Sequence, residues 1–144
     1  MAESQGNLRL IRIYLKDASF ESPTAPDAFK IKTEPAIDLA MSVAVRPISA
    51  DHYEVVLTGN VTARADGVTM FLCEAQQAGL FRARGYEDEE LQRRLHVFCP
   101  KQLFPFLRET LANLTMKGGF PPVLIALVDF DELYKSRKPG AAQA

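Results

Sequence analysis

Two neighbouring stretches, 36–46 and 52–64, alternate between apolar and polar residues, and this alternation restricts the fold more than any other feature of the chain. Successive side chains of a β-strand point to opposite faces, so a period of two predicts strands with one buried face. The short connector 46–51 makes the two strands a hairpin. The apolar faces comprise Ile37, Leu39, Met41, Val43 and Val45, then Tyr53, Val55, Leu57 and Val61, with Glu54, Thr58, Thr62 and Arg64 on the polar face of the second strand.

Two further strands flank this hairpin. Residues 8–21 are rich in Ile, Leu, Tyr and Phe, and 69–81 follow a turn at Asp66-Gly67. The segment 22–35 contains three prolines and has no clean period, so we interpret it as a long crossover loop. Three hairpin-connected strands and an earlier one joined by a crossover predict a four-stranded antiparallel sheet.

The strand at 69–81 alternates poorly. One side carries Phe71, Cys73, Ala75 and Gln77, and the other carries Met70, Leu72, Glu74 and Gln76. Both sets begin apolar and end polar. A sheet with both faces partly apolar needs a second covering layer or a partner, and self-association is the simplest way to supply one.

From residue 88 onward the apolar period becomes that of a helix. The acidic run 88–90 favours a helix start because it complements the helix dipole. Pro100 suits the first turn of a second, longer helix, which ends at the glycines 118–119. Asp129 begins a capping-box pattern for a short final helix. Strands followed by helices predict an α+β fold, with 118–128 as an apolar loop between helices.

Composition excludes several function classes. The net charge of −1 offers no basic excess for nucleic acid or anionic lipid. No apolar run reaches transmembrane length, and the polar start MAESQGN is unlike a signal peptide, so we expect a cytoplasmic protein. Cys73 and Cys99 indicate no disulfide framework.

Catalytic and metal-binding patterns are weak. His96 and Cys99 have an i, i+3 spacing that supplies two ligands where a structural metal site usually needs four, so packing roles are favoured. A Cys/His nucleophile pair has no supporting motif. Asp17 and Glu21 lie about 13 Å apart along a strand, too far for paired carboxylates. No phosphate-binding motif is present. We therefore expect no enzyme, no metal and no cofactor.

Two loops are unusually apolar. The crossover loop contains Phe29 and Ile31, and the later loop contains Phe120, Val123, Leu124, Ile125 and Leu127. Such loops either pack on the core or line a hydrophobic groove. Composition alone favours the core.

Short motifs follow one another in order between residues 11 and 134. The strand half contains Ile13-Tyr14, Lys16-Asp17, Ser19-Phe20-Glu21, Tyr53–Leu57, Phe71–Glu74, Gln76-Gln77 and Phe81. The helical half contains Cys99-Pro100, Leu103–Pro105, Arg108-Glu109, Gly118, Phe120-Pro121 and Phe130-Asp131. Together these motifs resemble SecB, the bacterial protein-export chaperone family.

The resemblance implies one SecB-like domain over 1–144, with disordered tails at 1–7 and 138–144. It implies a homotetramer, a dimer of dimers, with the long helix packed on one face of the sheet. The implied activity is ATP-independent holding of unfolded preproteins and their delivery to the SecA motor, without catalytic residues or cofactors. The alternatives are a SecB-like chaperone for another client, such as an antitoxin, and a carrier of hydrophobic small molecules.

The resemblance also assigns residues. The groove for unfolded polypeptide would comprise Phe29, Ile37, Leu39, Phe120, Leu124, Phe130 and Tyr134. The SecA-binding surface would comprise Asp17, Glu21, Leu72 and Glu74. The side of the fourth strand that faces the helices and the oligomer interface would comprise Phe71, Cys73, Ala75 and Gln77.

Overall fold

The structure is a computed structural model that describes residues 6–136. Within this range the strands are β1 (Asn7–Glu21), β2 (Ala36–Ser49), β3 (His52–Ala65) and β4 (Val68–Arg84). The α-helices are α1 (Asp88–Arg93), α2 (Cys99–Lys117) and α3 (Phe130–Lys135). The crossover loop between β1 and β2 contains one 3₁₀ turn, Asp27–Lys30.

The tails expected at 1–7 and 138–144 fall largely outside the described residues. Gly6 and Asn7 fall inside them, and Asn7 already belongs to β1, where it pairs with Arg84. The sheet therefore begins one residue earlier than the sequence pattern indicates.

The four strands form one antiparallel sheet in the order β1-β4-β3-β2. The two hairpin turns contain residues in the left-handed region, Asp51 with φ 69°, Asp66 with φ 54° and Gly67 with φ 74°. Asp and Gly tolerate this conformation better than other residues, which explains why the chain reverses at these positions. The crossover loop carries the chain from β1 at one edge to β2 at the other. The predicted four-stranded antiparallel sheet is confirmed.

The helical region differs from the prediction of two separate helices. The backbone stays helical from α1 through a π-type turn, Arg94–Phe98, into α2. In that turn the Cys99 N–H donates to the Arg94 carbonyl, five residues back. Pro100 has no N–H, so the wider turn forfeits no hydrogen bond at that position. Residues 88–117 therefore form one continuous helical run.

Helix α2 packs across β3 and β4 through one apolar face. Its Leu103, Leu107 and Leu111 are completely buried. Gly59 of β3 permits this close approach, because a Cβ there would lie 3.1 Å from Leu107 and 3.2 Å from Leu111. A long helix on one face of the sheet is the arrangement that the family resemblance implies.

The helix-facing side of β4 is covered within a single chain. Phe71, Cys73, Ala75 and Gln77 are each at most 4% exposed. The Gln77 amide is satisfied, because its Nε2 donates to the Tyr14 carbonyl at 3.1 Å and its Oε1 accepts from Thr110 Oγ1 at 3.5 Å. These side chains face the helix as expected, and their contribution to contacts between copies stays a prediction.

Candidate functional site

An open apolar groove of about 790 Å³ lies between the crossover loop and the loop that follows α2. One wall comes from residues 28–35, the other from 119–126, and Met70 and Phe71 of β4 form the floor. The most exposed apolar side chains that line it are Leu124 at 66%, Phe29 at 51%, Ile37 at 45% and Leu39 at 38%. Apolar side chains exposed together in a concave surface are typical of a binding site.

Phe120 connects the parts of this groove. Its ring centroid lies 4.9 Å from that of Phe71 on β4 and 5.1 Å from that of Phe29 in the crossover loop. It also lies 6.2 Å from the ring of Phe20 on β1. The chain reaches this position through Gly119, whose φ is 92° and where a Cβ would come within 3.1 Å of the Phe29 ring.

Side-chain hydrogen bonds fix the loop after α2. The Thr115 hydroxyl, which is fully buried, accepts from the Val123 N–H at 3.0 Å. Arg108 Nε donates to the Ile125 carbonyl at 3.0 Å. Both contacts tie an irregular segment to the rigid helix, so the groove wall is positioned by α2 even though it has no regular secondary structure.

The crossover loop is fixed in a similar way at its start. Ser22 Oγ donates to the Met70 carbonyl at 2.8 Å, and Thr24 Oγ1 donates to the Thr69 carbonyl at 3.0 Å. These two carbonyls lie at the beginning of β4, which extends past the last residue of β1. The side-chain hydroxyls therefore satisfy them where β1 no longer pairs. The loop therefore leaves the sheet in a defined direction, toward Phe120.

Five of the seven predicted groove residues line the groove, namely Phe29, Ile37, Leu39, Phe120 and Leu124. Phe130 does not line the groove: it is 1% exposed and packs edge-on against Phe104, with ring centroids 6.0 Å apart. Tyr134 also lies away from the groove wall and stacks on His96 at 5.3 Å. Both residues belong to α3, which packs against the π-type turn.

Sequence reasoning missed other parts of the groove. Phe20 supports Phe71 from β1 by stacking at 5.5 Å. Pro121 and Pro122 stiffen one wall, and the charged residues Lys32 and Glu34 belong to the opposite wall. The adjacent prolines were a readable signal, because a segment without two backbone N–H groups stays extended.

The opposite face of the sheet brings together the four predicted SecA-binding residues. Glu21 pairs with Leu72, Ser19 with Glu74 and Asp17 with Gln76. Side chains of paired residues lie on the same face, so Asp17, Glu21, Leu72 and Glu74 share one surface, here called the acidic face. Leu72 lies in the middle of the acidic face and is 40% exposed. Within the described chain none of the three carboxylates forms an ion pair.

The His96–Cys99 pair is not arranged as a metal site. Cys99 is completely buried, and burial raises the pKa of its thiol well above the ordinary value. His96 Nδ1 lies 2.9 Å from the Gln92 carbonyl. Among residues 6–136 no group of three or more His, Cys, Asp or Glu side chains is placed to hold a metal ion. Over the same residues, no helix is both long enough and apolar enough to cross a membrane.

Comparison with known proteins identifies the family. The family described as preprotein translocase subunit SecB matches residues 1–140. The protein-export protein SecB of Halorhodospira halophila is 40% identical, over 99% of this chain and 90% of the relative. The protein-export protein SecB of Chromobacterium violaceum is 41% identical, over 99% of this chain and 95% of the relative.

The chain belongs to the SecB family.

A solved structure supports the SecB fold. The SecB-like chaperone of Mycobacterium tuberculosis, solved in complex with a ChAD peptide from the HigA1 antitoxin, superposes with a TM-score of 0.70. It is 20% identical and the match covers 84% of this chain and 90% of that one. At this identity the likeness concerns the fold alone. Membership of the SecB family makes protein-export chaperoning the function of the chain.

Proposed function

We propose that the chain holds unfolded preproteins in the groove without ATP and presents them to SecA through the acidic face. The observation that carries this proposal is the position of exposed apolar side chains in an open concave surface. Phe29, Leu124 and Ile37 offer aromatic and aliphatic contacts without a shaped pocket for one ligand. Many weak apolar contacts accept many sequences, as a holding chaperone requires.

The edge of the sheet favours an extended client. Ile37 and Leu39 belong to β2, which is the last strand in the order β1-β4-β3-β2 and pairs on one side with β3. An edge strand beside an apolar groove can add a client segment by backbone hydrogen bonds while the groove takes alternate side chains. Backbone pairing is independent of client sequence, which suits binding to many preproteins.

The acidic face supports docking of SecA. It combines a half-exposed leucine with three carboxylates on rigid strands, and it lies on the side of the sheet opposite α2. Docking surfaces on strands keep their geometry better than those on loops. The exposed charges would steer association in a salt-dependent manner. We propose this residue set, Asp17, Glu21, Leu72 and Glu74, as the contact surface.

Self-association into a homotetramer, a dimer of dimers, is the third element of the proposal. The edge strand β1 exposes Leu10 at 37%, Ile11 at 44% and Leu15 at 49%, and α2 exposes Phe106 at 48%. Exposed apolar groups on an edge strand and on the long helix support burial between copies. The interface would also depend on the helix-facing side of β4, because α2 packs on it. Its side chains are Phe71, Cys73, Ala75 and Gln77.

The alternatives make different predictions. A hydrophobic small-molecule carrier needs an enclosed cavity, whereas this groove is open, which favours a polypeptide. A chaperone dedicated to one partner such as an antitoxin would use the same groove. Client capture separates the two, since export clients form a spread of signal-bearing preproteins and a dedicated client is one dominant protein.

The deciding experiment combines native mass spectrometry, aggregation suppression with an unfolded preprotein, and titration of the cognate SecA. We expect a tetramer that suppresses aggregation without ATP, with SecA affinity lowered by Glu74→Lys. A monomer that neither holds an unfolded chain nor binds SecA would refute the proposal.

A further inference from the structure

Glu54 lies on the same side of the sheet as the acidic face, yet its side chain is 6% exposed. Alternation in the sequence places this residue on the polar face of β3, where a glutamate is normally exposed. The cause is the convergence of three side chains on its carboxylate. Tyr14, Lys16, Arg46 and Glu54 are here called the Glu54 cluster.

The contacts of the cluster are short and saturate the carboxylate. Lys16 Nζ lies 2.8 Å from both Oε1 and Oε2 of Glu54. The Tyr14 hydroxyl donates to Oε2 at 2.6 Å, and Arg46 Nη2 donates to Oε1 at 3.2 Å. Burial favours protonation of Glu54, but these hydrogen bonds outweigh it and lower its pKa. The carboxylate is therefore ionised and tied to both edge strands.

The route from β1 to Glu54 passes over β4. Tyr14 pairs with Ala78 of β4, which in turn pairs with Val56 of β3, the strand that carries Glu54. The alanine methyl group leaves room for the longer side chains of β1 to cross β4 on this face. The cluster thus connects β1 directly to β3, although the two strands are not neighbours.

The cluster coincides with an irregularity in β1. Leu15 pairs with Gln77 and Asp17 with Gln76, so Lys16 is an extra residue in the ladder, as in a β-bulge. The core requires such a residue. Ile13 pairs with Gly79 and Phe20 with Cys73, so an odd and an even residue of β1 both lie on the helix-facing side. A strand without an extra residue between them cannot place both there.

The core does not by itself decide which residue is the extra one. If Asp17 took that place, Lys16 would pair with Gln76 and stand in the row that Asp17 now occupies. The acidic face would then contain a lysine and lose the fixed direction of one carboxylate. The position of the bulge therefore determines what the acidic face presents.

We propose that Glu54 is a positioning residue for SecA docking, which holds the β1 bulge at Lys16 and thereby sets Asp17 in register with Gln76. This inference rests on the proposed docking of SecA at the acidic face. Glu54 itself is covered by the cluster, so it acts through Lys16 and Tyr14 rather than by touching the partner.

Lys16→Met distinguishes a positioning role from simple electrostatics, because the two predict opposite changes in the affinity for SecA. The substitution removes a positive charge beside the acidic face, which on charge alone leaves SecA binding unchanged or tighter. Positioning predicts weaker binding, by about five- to tenfold, since the buried carboxylate loses its main cation and the bulge is released. Lys16→Arg keeps a cation within reach of Glu54 and should restore affinity. Glu54→Gln should weaken binding as Lys16→Met does.

Two controls accompany the titration of these variants with SecA. Suppression of aggregation by each variant tests the groove on the other side of the sheet, and it should equal that of the wild type. The variant Glu74→Lys reports whether SecA uses the acidic face at all. If Glu74→Lys weakens binding and Lys16→Met does not, the positioning role is overturned.

A cross-link measures the register without SecA. Asp17→Cys with Gln76→Cys places two thiols at paired positions, and mild oxidation should join them rapidly. Adding Lys16→Met should slow this disulfide formation at least severalfold, whereas adding Lys16→Arg should not. Equal rates in all three backgrounds would overturn the positioning role. If Glu74→Lys leaves SecA binding unchanged, the docking proposal fails, and the cross-link still decides whether Glu54 sets the register.

Discussion

Phe71 and Leu72 are consecutive residues of β4 whose side chains lie on opposite faces of the sheet. Phe71 is 3% exposed in the floor of the groove, and Leu72 is 40% exposed in the middle of the acidic face. One strand therefore supports client holding on one side and partner docking on the other. The two functions should be separable by substitutions on either face, because the side chains that serve them do not touch.

Two exposed groove residues should be required for holding. Leu124→Asp combined with Ile37→Asp places charges where an apolar client would be buried, and charge in such a contact is costly. We expect weaker suppression of aggregation with an unchanged fold, because these side chains are 66% and 45% exposed. Circular dichroism checks the fold. Ile48→Asp is the matched control, as Ile48 is 46% exposed and lies outside the groove. Equal loss of holding in the control would contradict the assignment.

Phe120 should stabilise the fold as well as the groove. Its ring contacts Phe20, Phe29 and Phe71 from three different segments and is 9% exposed. Phe120→Ala should lower the free energy of unfolding by about 3–5 kcal/mol, the usual cost of deleting a buried phenyl ring. Phe29→Ala should cost clearly less, since Phe29 is 51% exposed. Urea unfolding at one fixed protein concentration gives both values, and similar losses would show that Phe120 is not the central contact.

Glu74→Lys should weaken SecA binding in a salt-dependent manner. The reversed charge stands beside Leu72, among Asp17 and Glu21, on exposed strands. Exposed charges are screened over about 8 Å at physiological ionic strength, so the difference from the wild type should shrink as salt is raised. Calorimetric titration at several salt concentrations measures this. Glu89→Lys, in the exposed first turn of α1, carries the same charge change and should bind SecA normally. A defect that does not depend on salt would point to a structural cause instead.

The sheet was predictable because β2 and β3 alternate between apolar and polar residues in the simplest way. In β2, the apolar Ile37 and the polar Asp38 indicate the two faces of the strand by their residue types. The turn at Asp66-Gly67 contains the expected residues in the left-handed region. The acidic face followed from the resemblance, since pairing across strands is invisible in a single run of letters. Glu21 and Leu72 are 51 positions apart in sequence and become neighbours through the register.

The errors have physical causes of a different kind. A period of two does not show that Lys16 is an extra residue, and it cannot show that Tyr14 and Lys16 fold over Ala78 to cover Glu54. Pro100 lies in the first turn of α2, as predicted, but the sequence does not show that a π-type turn joins α1 to α2 without a break. The resemblance assigns Phe130 to the groove, although α3 turns it toward Phe104. Each error depends on tertiary packing that overrides a local pattern.

The Glu54 cluster should contribute stability that acid removes. Burial favours the protonated form, but hydrogen bonds from Lys16, Tyr14 and Arg46 hold the pKa of Glu54 below its ordinary value of 4.5. The unfolded chain therefore takes up this proton at higher pH than the folded chain does. The contribution is complete above pH 4.5 and is lost as the pH falls through the lower pKa of the folded state.

Glu54→Gln measures this contribution. At neutral pH it should lower the free energy of unfolding by about 1–3 kcal/mol, the cost of disrupting hydrogen bonds to a buried charged group. The difference in the free energy of unfolding between the two proteins should narrow below pH 4.5, because Glu54 of the wild type then takes up a proton on unfolding. Urea unfolding from neutral to acidic pH provides the comparison. A difference that stays constant with pH would mean that the ionised carboxylate is not the source.

The two native thiols should be unreactive in the folded chain. Burial raises the pKa of Cys73 to about 11 and that of Cys99 further, so neither is a thiolate at neutral pH. Cys73 also lies beneath α2 on the helix-facing side of β4, which blocks access for a reagent. We expect labelling by a thiol-reactive dye to follow opening of the structure, with rates that rise steeply in urea. Gln76→Cys, whose side chain points to the outer face, should label promptly without urea and serves as the control. Native thiols that label as fast as this control would show that α2 leaves β4 readily. The core would then be too loosely packed to keep the groove and the acidic face on separate sides of the sheet.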